Sequence, residues 1–166
     1  DEQKTAVDQA ISTNDFSFIE GPPGSGKTTV LLEIIVQEIK RGKKIMVTAS
    51  THVALDNILD RLIRDNFLEK YGISPIRIGY DSNISELSRR YSLNNIAKTE
   101  LKRLREAYEK KDKSELSDAQ KKFKRHLMDA DAEADIKKLL LDTSNLVFGT
   151  NIGILQAPMI KENTGA

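Results

Sequence analysis

The 166-residue sequence has no cysteine, which excludes disulfides and thiolate metal sites and fits a reducing compartment. It has no apolar run near the roughly 18 residues that a membrane-spanning helix requires, so no membrane partner is expected. No basic-then-apolar signal opens it, and the expected location is intracellular: cytoplasmic, or nuclear in a eukaryote. A strong charge of one sign is also missing. A net charge of +1 gives no global attraction to nucleic acid, so any basic surface has to be local. Residues 85–141 lack both glycine and proline. What remains is ordinary: 39% hydrophobic and 31% charged residues, in a chain about one domain long. Asp1 stands where a start methionine would, and Lys161–Ala166 is polar and rich in small residues, so a fragment of a larger protein is expected.

Hydrophobic spacing divides the chain. Phe16–Glu20 alternates apolar and polar residues and runs into Gly-Pro-Pro-Gly, the pattern of a short strand entering a tight loop. From Thr28 to Lys40 the apolar residues Val30, Leu31, Ile34, Ile35 and Ile39 share one helical face, and Arg41-Gly42 stops the helix. Lys44–Ala49 reads as a strand, Val53–Phe67 as an amphipathic helix, and Pro75–Gly79 as another short strand. Asn145–Thr150 reads as a fourth. Strands alternating with helices of this length predict parallel βαβ units.

Between them, residues 85–141 carry sparse apolar residues among many charges and predict two long helices in an antiparallel hairpin. A fresh helix start is expected near Ser114 and Ser117-Asp118. Basic residues outnumber acidic ones here, most densely at Lys121-Lys122-Phe123-Lys124-Arg125-His126. Three readings stay open for that cluster: an arm along a nucleic-acid strand, a solvated face with i,i+4 charge pairs, or a docking surface for a protein partner.

The most specific segment is Gly21-Pro22-Pro23-Gly24-Ser25-Gly26-Lys27-Thr28. A polyphosphate needs several N–H donors at close range and little side-chain bulk. A glycine loop entering a helix supplies both, along with the positive end of the helix dipole. Gly24 and Gly26 permit the close approach, and Pro22 and Pro23 stiffen the turn. Lys27 is the expected catalytic cation for the β- and γ-phosphates. The Thr28 hydroxyl is the expected Mg²⁺ ligand, with Thr29 beside it. The expected cofactors are ATP and Mg²⁺.

This loop resembles those of superfamily 1 helicases and of AAA-type ATPases that remodel proteins. Gln3, upstream of the loop, resembles the helicase glutamine that pairs with adenine. Val47–Asn57 resembles motif Ia of the nonsense-mediated-decay group, with Ser50 where the family has proline and His52 where it has asparagine. Pro75–Gly79 and Leu146–Thr150 resemble further segments of that group, the second being motif Ic.

The resemblance implies an α/β fold: a RecA-like P-loop parallel sheet flanked by helices, with an inserted helical hairpin. It divides the chain into residues 1–84, the insertion 85–141 and a return at 142–166. It implies an ATP-dependent helicase, with single-stranded DNA or RNA held at Ser50, Thr51, His52 and Thr150 and the remaining helicase domains in cis. Leu139-Leu140-Leu141-Asp142 has the outline of an acidic metal-binding strand, but it closes a helical pattern and Asp142 reads better as a helix end. The acidic motif and arginines needed for hydrolysis are not identifiable, so poor turnover by this chain alone is expected.

Overall fold

Three short parallel strands carry the architecture: β1 (Ile45–Ala49), β2 (Pro75–Arg77) and β3 (Leu146–Thr150), ordered β1-β3-β2. The computed structural model describes residues 2–112 and 116–157. Ser114 and Lys161–Ala166 lie outside the described residues. In β3, Leu146 faces Ile45 on one side and Pro75 on the other, and Phe148 faces Val47 and Arg77. Pro75, which has no N–H to donate, opens an edge strand, where that lack is tolerated. β3 is central, and Leu146 and Phe148 are fully buried.

Two helices cover the sheet. In α2 (Lys27–Lys40), Leu32, Ile35, Val36 and Ile39 turn inward. In α3 (His52–Arg64), Leu55, Leu59 and Leu62 recur at helical spacing and have no exposed surface. Each such leucine contributes about 1.5–3 kcal/mol of burial, so this spacing decides the helix more than propensity does. The Thr51 hydroxyl accepts from Ala54 N (3.3 Å) and caps α3. The short α4 (Phe67–Tyr71) closes the same core through Phe67 and Tyr71. Besides α4, two further helices escaped the sequence reading. α1 (Glu2–Ser12) packs on α2 and buries only Val7, and α9 (Asn151–Leu155) follows β3 directly, with the Thr150 hydroxyl accepting from Gly153 N (3.1 Å).

The expected strand at Phe16–Glu20 does not form in this structure. The segment has no ladder partner among the described residues: β1 and β2 pair with β3, and Arg77 of β2 bridges Ser92 on its other side. Alternation alone is insufficient, since backbone groups outside a ladder are left to water. Phe16 and Phe18 are 74% and 90% exposed and meet edge-to-face at 5.5 Å.

The segment expected as an insertion holds α5 (Glu86–Arg89) and then α6 (Leu93–Glu109). Its returning arm is not one long helix. It is α7 (Asp118–His126) followed by α8 (Ala132–Thr143), interrupted at residues 127–131. Leu127 is the reason: it is nearly fully buried in a separate small core with Leu101 and Ala132, and the chain turns to seat it. The arms run antiparallel, with Tyr108 against Phe123, and Arg105 Nε donates to Leu127 O (2.8 Å). The helix start at Ser117 is present as a reciprocal capping box with Gln120.

Among the described residues, no helix is long and apolar enough to cross a membrane. Asp142 sits in the last turn of α8, and Leu139 is exposed, so the segment is helix end and not an acidic strand.

Candidate functional site

The phosphate-type loop leads straight into α2. Gly24 and Gly26 have φ of 81° and 89°, in the left-handed region where a Cβ is disfavoured. Gly26 is the residue before α2 and has no side chain to cap it, so the first-turn N–H groups of Lys27, Thr28 and Thr29 are not taken by a side-chain cap there. Those donors and the helix dipole define an anion site. Lys27 Nζ donates to Gly21 O (2.5 Å) and Pro22 O (2.8 Å), folding the ammonium back over its own loop. Pro22, Pro23 and Ser25 are exposed, and Ser25 N donates to Pro22 O (3.3 Å), making the turn.

α1 brings Gln3 to the same place. Its amide donates to Ser25 O (3.1 Å), and a Cβ on Gly26 would lie 2.3 Å from Gln3 Nε2. Gln3 and Thr29 line a cavity of about 430 Å³ between α1 and α2, with Lys4, Val7, Glu33 and Gln37. The structure thus gathers Gln3, Gly21, Pro22, Pro23, Gly24, Ser25, Gly26, Lys27, Thr28 and Thr29 into one region.

A second group gathers at the carboxyl ends of the strands, where open α/β sheets place their ligands. Ser50 follows β1, Gly79 lies beyond β2 and Thr150 ends β3. Together with His52 they line a groove of about 590 Å³. The exposed Tyr80 and the amides of Asn83 and Asn94 also line it. Thr51 does not: its hydroxyl serves the α3 cap.

Sequence reasoning did not anticipate what lies beneath this groove. Arg77 has no exposed surface and is engaged in three directions. Its Nε donates to Asp56 Oδ1 (2.8 Å), one terminal nitrogen to Ile78 O (2.5 Å), and the other meets His52 Nδ1 (2.9 Å). Asp56 Oδ2 in turn accepts from Ser85 N (2.8 Å). Only the Arg-apolar-Gly pattern marked Arg77, and nothing local signalled its burial.

The basic cluster of the insertion is largely engaged within the chain. Lys121 pairs with Asp118 (3.5 Å), Lys124 donates to Tyr108 O (2.7 Å) and His126 Nε2 meets Asp135 (2.8 Å). No group of three or more His, Asp or Glu suited to a metal occurs among the described residues.

A glycine loop opening onto an uncapped helix, beside a parallel sheet with helices on it, defines a phosphate-binding α/β domain. Comparison with known proteins agrees: the AAA domain family AAA_11 matches residues 1–129, and the chain belongs to that family. It is 43% identical over 86 residues to an uncharacterized ATP-dependent helicase of Methanocaldococcus jannaschii, covering 51% of this chain and 12% of that protein. It is 39% identical over 94 residues to the DNA-binding protein SMUBP-2 of Mesocricetus auratus, covering 57% and 9%. It is 38% identical over 89 residues to the DNA replication ATP-dependent helicase/nuclease DNA2 of Saccharomyces cerevisiae, covering 54% and 6%. The chain thus spans a small part of these relatives.

Proposed function

We propose that this chain holds ATP at Gly21–Thr28 and serves the motor of a superfamily 1 helicase of the nonsense-mediated-decay group, which moves along single-stranded DNA or RNA. The uncapped α2 N-terminus with Lys27 folded over the loop carries the nucleotide reading, and the named relatives support the helicase. The loop and first-turn N–H groups hold the phosphates, with Lys27 as a point charge on them. Gln3, beside the loop, reads the base, a glutamine amide offering both a donor and an acceptor; its hydrogen bond to Ser25 O supports this reading. The Thr28 hydroxyl would hold Mg²⁺ accompanying the nucleotide, and the ion when bound would supply charge neutralisation at the phosphates.

Single-stranded nucleic acid lies across the groove at Ser50, His52 and Thr150, with Thr51 ordering the helix start beside it. The AAA-type protein-remodelling alternative has no comparable observation in its favour.

The test is titration of a fluorescent ATP analogue. Lys27→Ala is expected to lose binding by at least about tenfold while its circular dichroism and melting remain those of the parent sequence, because Lys27 is exposed and supports no core. Equal affinity in the two proteins overturns the assignment.

A further inference from the structure

His52 is held by a contact that fixes its chemistry. A guanidinium has five N–H donors and no acceptor, and it stays protonated throughout the working pH range. The 2.9 Å approach of an Arg77 terminal nitrogen to His52 Nδ1 can therefore be a hydrogen bond only if Nδ1 accepts. With Nδ1 an acceptor, the proton of the neutral ring is on Nε2. Arg77 cannot turn away easily, since it is fully buried and its other nitrogens are committed to Asp56 Oδ1 and Ile78 O. Asp56 is fixed in turn by Ser85 N, and the ring rests on Gly79, where an added Cβ would come within 3.2 Å of His52 Cε1. Every joint of this chain is packed or hydrogen-bonded.

We infer that Arg77 is a positioning residue that locks His52 as an Nδ1-acceptor, Nε2–H tautomer, so that the groove presents one directional N–H donor to an acceptor oxygen of a bound strand. The use of that donor rests on the nucleic-acid reading of the groove; the tautomer does not. The arrangement resembles the outer partner of a metal-bound histidine, with a cation in place of the usual carboxylate, so the tautomer is chosen by a donor and not by an acceptor. A side chain offered in one protonation geometry loses little orientational freedom on binding, and it selects acceptor groups against donors. The Ser50 hydroxyl, by contrast, can donate or accept.

The chain's other histidine supplies an internal contrast. His126 faces carboxylates: its Nε2 lies 2.8 Å from Asp135 and its Nδ1 3.5 Å from Asp129. Carboxylate neighbours favour a proton on either nitrogen, whereas a guanidinium forbids one on Nδ1.

The experiment is a long-range ¹H–¹⁵N correlation spectrum of the imidazoles in ¹⁵N-labelled protein at about pH 8, where an ordinary histidine is neutral. His126→Gln identifies the His52 signals. The expected result is one pyridine-like Nδ1 and one pyrrole-like Nε2 for His52. An Nδ1–H pattern, or an averaged ring, overturns the inference without needing any variant at Arg77. Arg77→Lys keeps the buried charge but replaces the fork with one nitrogen. It is expected to average the His52 tautomers and weaken a single-stranded oligonucleotide by about tenfold. A His52 spectrum unaltered by that substitution also overturns it. If the fixed tautomer is found but saturating oligonucleotide leaves the His52 signals in place, the groove's nucleic-acid reading fails and the role of Arg77 stands.

Discussion

At the scale of single residues, the loop glycines separate two physical reasons for the same residue type. Gly24 and Gly26 share a left-handed backbone, but a Cβ at Gly24 meets nothing within 4 Å, whereas one at Gly26 meets the Gln3 amide at 2.3 Å. Gly24→Ala should therefore cost only the backbone term, about 1–2 kcal/mol. Gly26→Ala should cost at least as much and also displace Gln3, separating α1 from the loop. Urea unfolding of both variants checks the order, and equal midpoints would show that Gln3 does not rest on the loop. The buried pair beneath the groove behaves differently. Asp56→Ala leaves Arg77 as an uncompensated buried charge, with an expected loss of about 3–5 kcal/mol, while Asp56→Leu with Arg77→Met should recover most of that. A double variant as unstable as the single one would mean the pair holds the fold by more than charge balance.

At the scale of elements, the end of α2 is tied by Glu38, which accepts from Lys43 and Arg41 at 2.8 Å each. The Lys43 hydrogen bond first, then that of Arg41, hold the Glu38 carboxyl below its ordinary value against a smaller opposing effect of burial than the Lys43 bond exerts. A carboxylate with a depressed folded value stabilises the protein above its unfolded value, and loses that contribution as pH falls through the folded one. Both cations are largely exposed, so screening limits the effect to about 1 kcal/mol or less. Glu38→Gln should melt slightly lower at neutral pH, and the difference should close as the pH falls below the ordinary glutamate range, as thermal scans in a pH series would show.

The elements also show what the sequence made legible. α2, α3, β1 and β3 were readable because each buries a face at its own period, as Leu55, Leu59 and Leu62 do. The loop was readable because phosphate chemistry demands those residue types in that order. Phe16–Glu20 misled because alternation reports a face and says nothing of a partner strand. The break at Leu127 and the burial of Arg77 were not legible, since both depend on what arrives from far along the chain.

At the scale of the whole molecule, three apolar clusters are distinguishable. The main one joins α2, α3 and the sheet; a second, at Ile76, Ile78, Leu93 and Leu141, joins β2 and the residue beyond it to the roots of α6 and α8; the third, at Leu101, Leu127 and Ala132, lies within the arm. Leu127→Ala should cost about 2–5 kcal/mol within the arm and leave the affinity for the ATP analogue as it was. Amide exchange should then quicken around Leu101 and Leu127 before it does in the sheet, because that cluster is separate from those that hold the strands. Exchange rising equally in β1 and β3 would mean that arm and sheet unfold as one.

The strand order has a consequence in time. β1 and β2 come early in the chain, yet among the described residues they do not pair with each other: both pair with β3, which follows the intervening residues 78–145, and β2 otherwise has the single bridge of Arg77 to Ser92. A chain emerging from its N-terminus therefore holds two unjoined strands until β3 arrives, and the slowest event in joining them is the closure of that long loop. Until then α2 and α3 have no Leu146 or Phe148 to cover, and their apolar faces are the surface by which a half-made chain would be recognised or lost to aggregation.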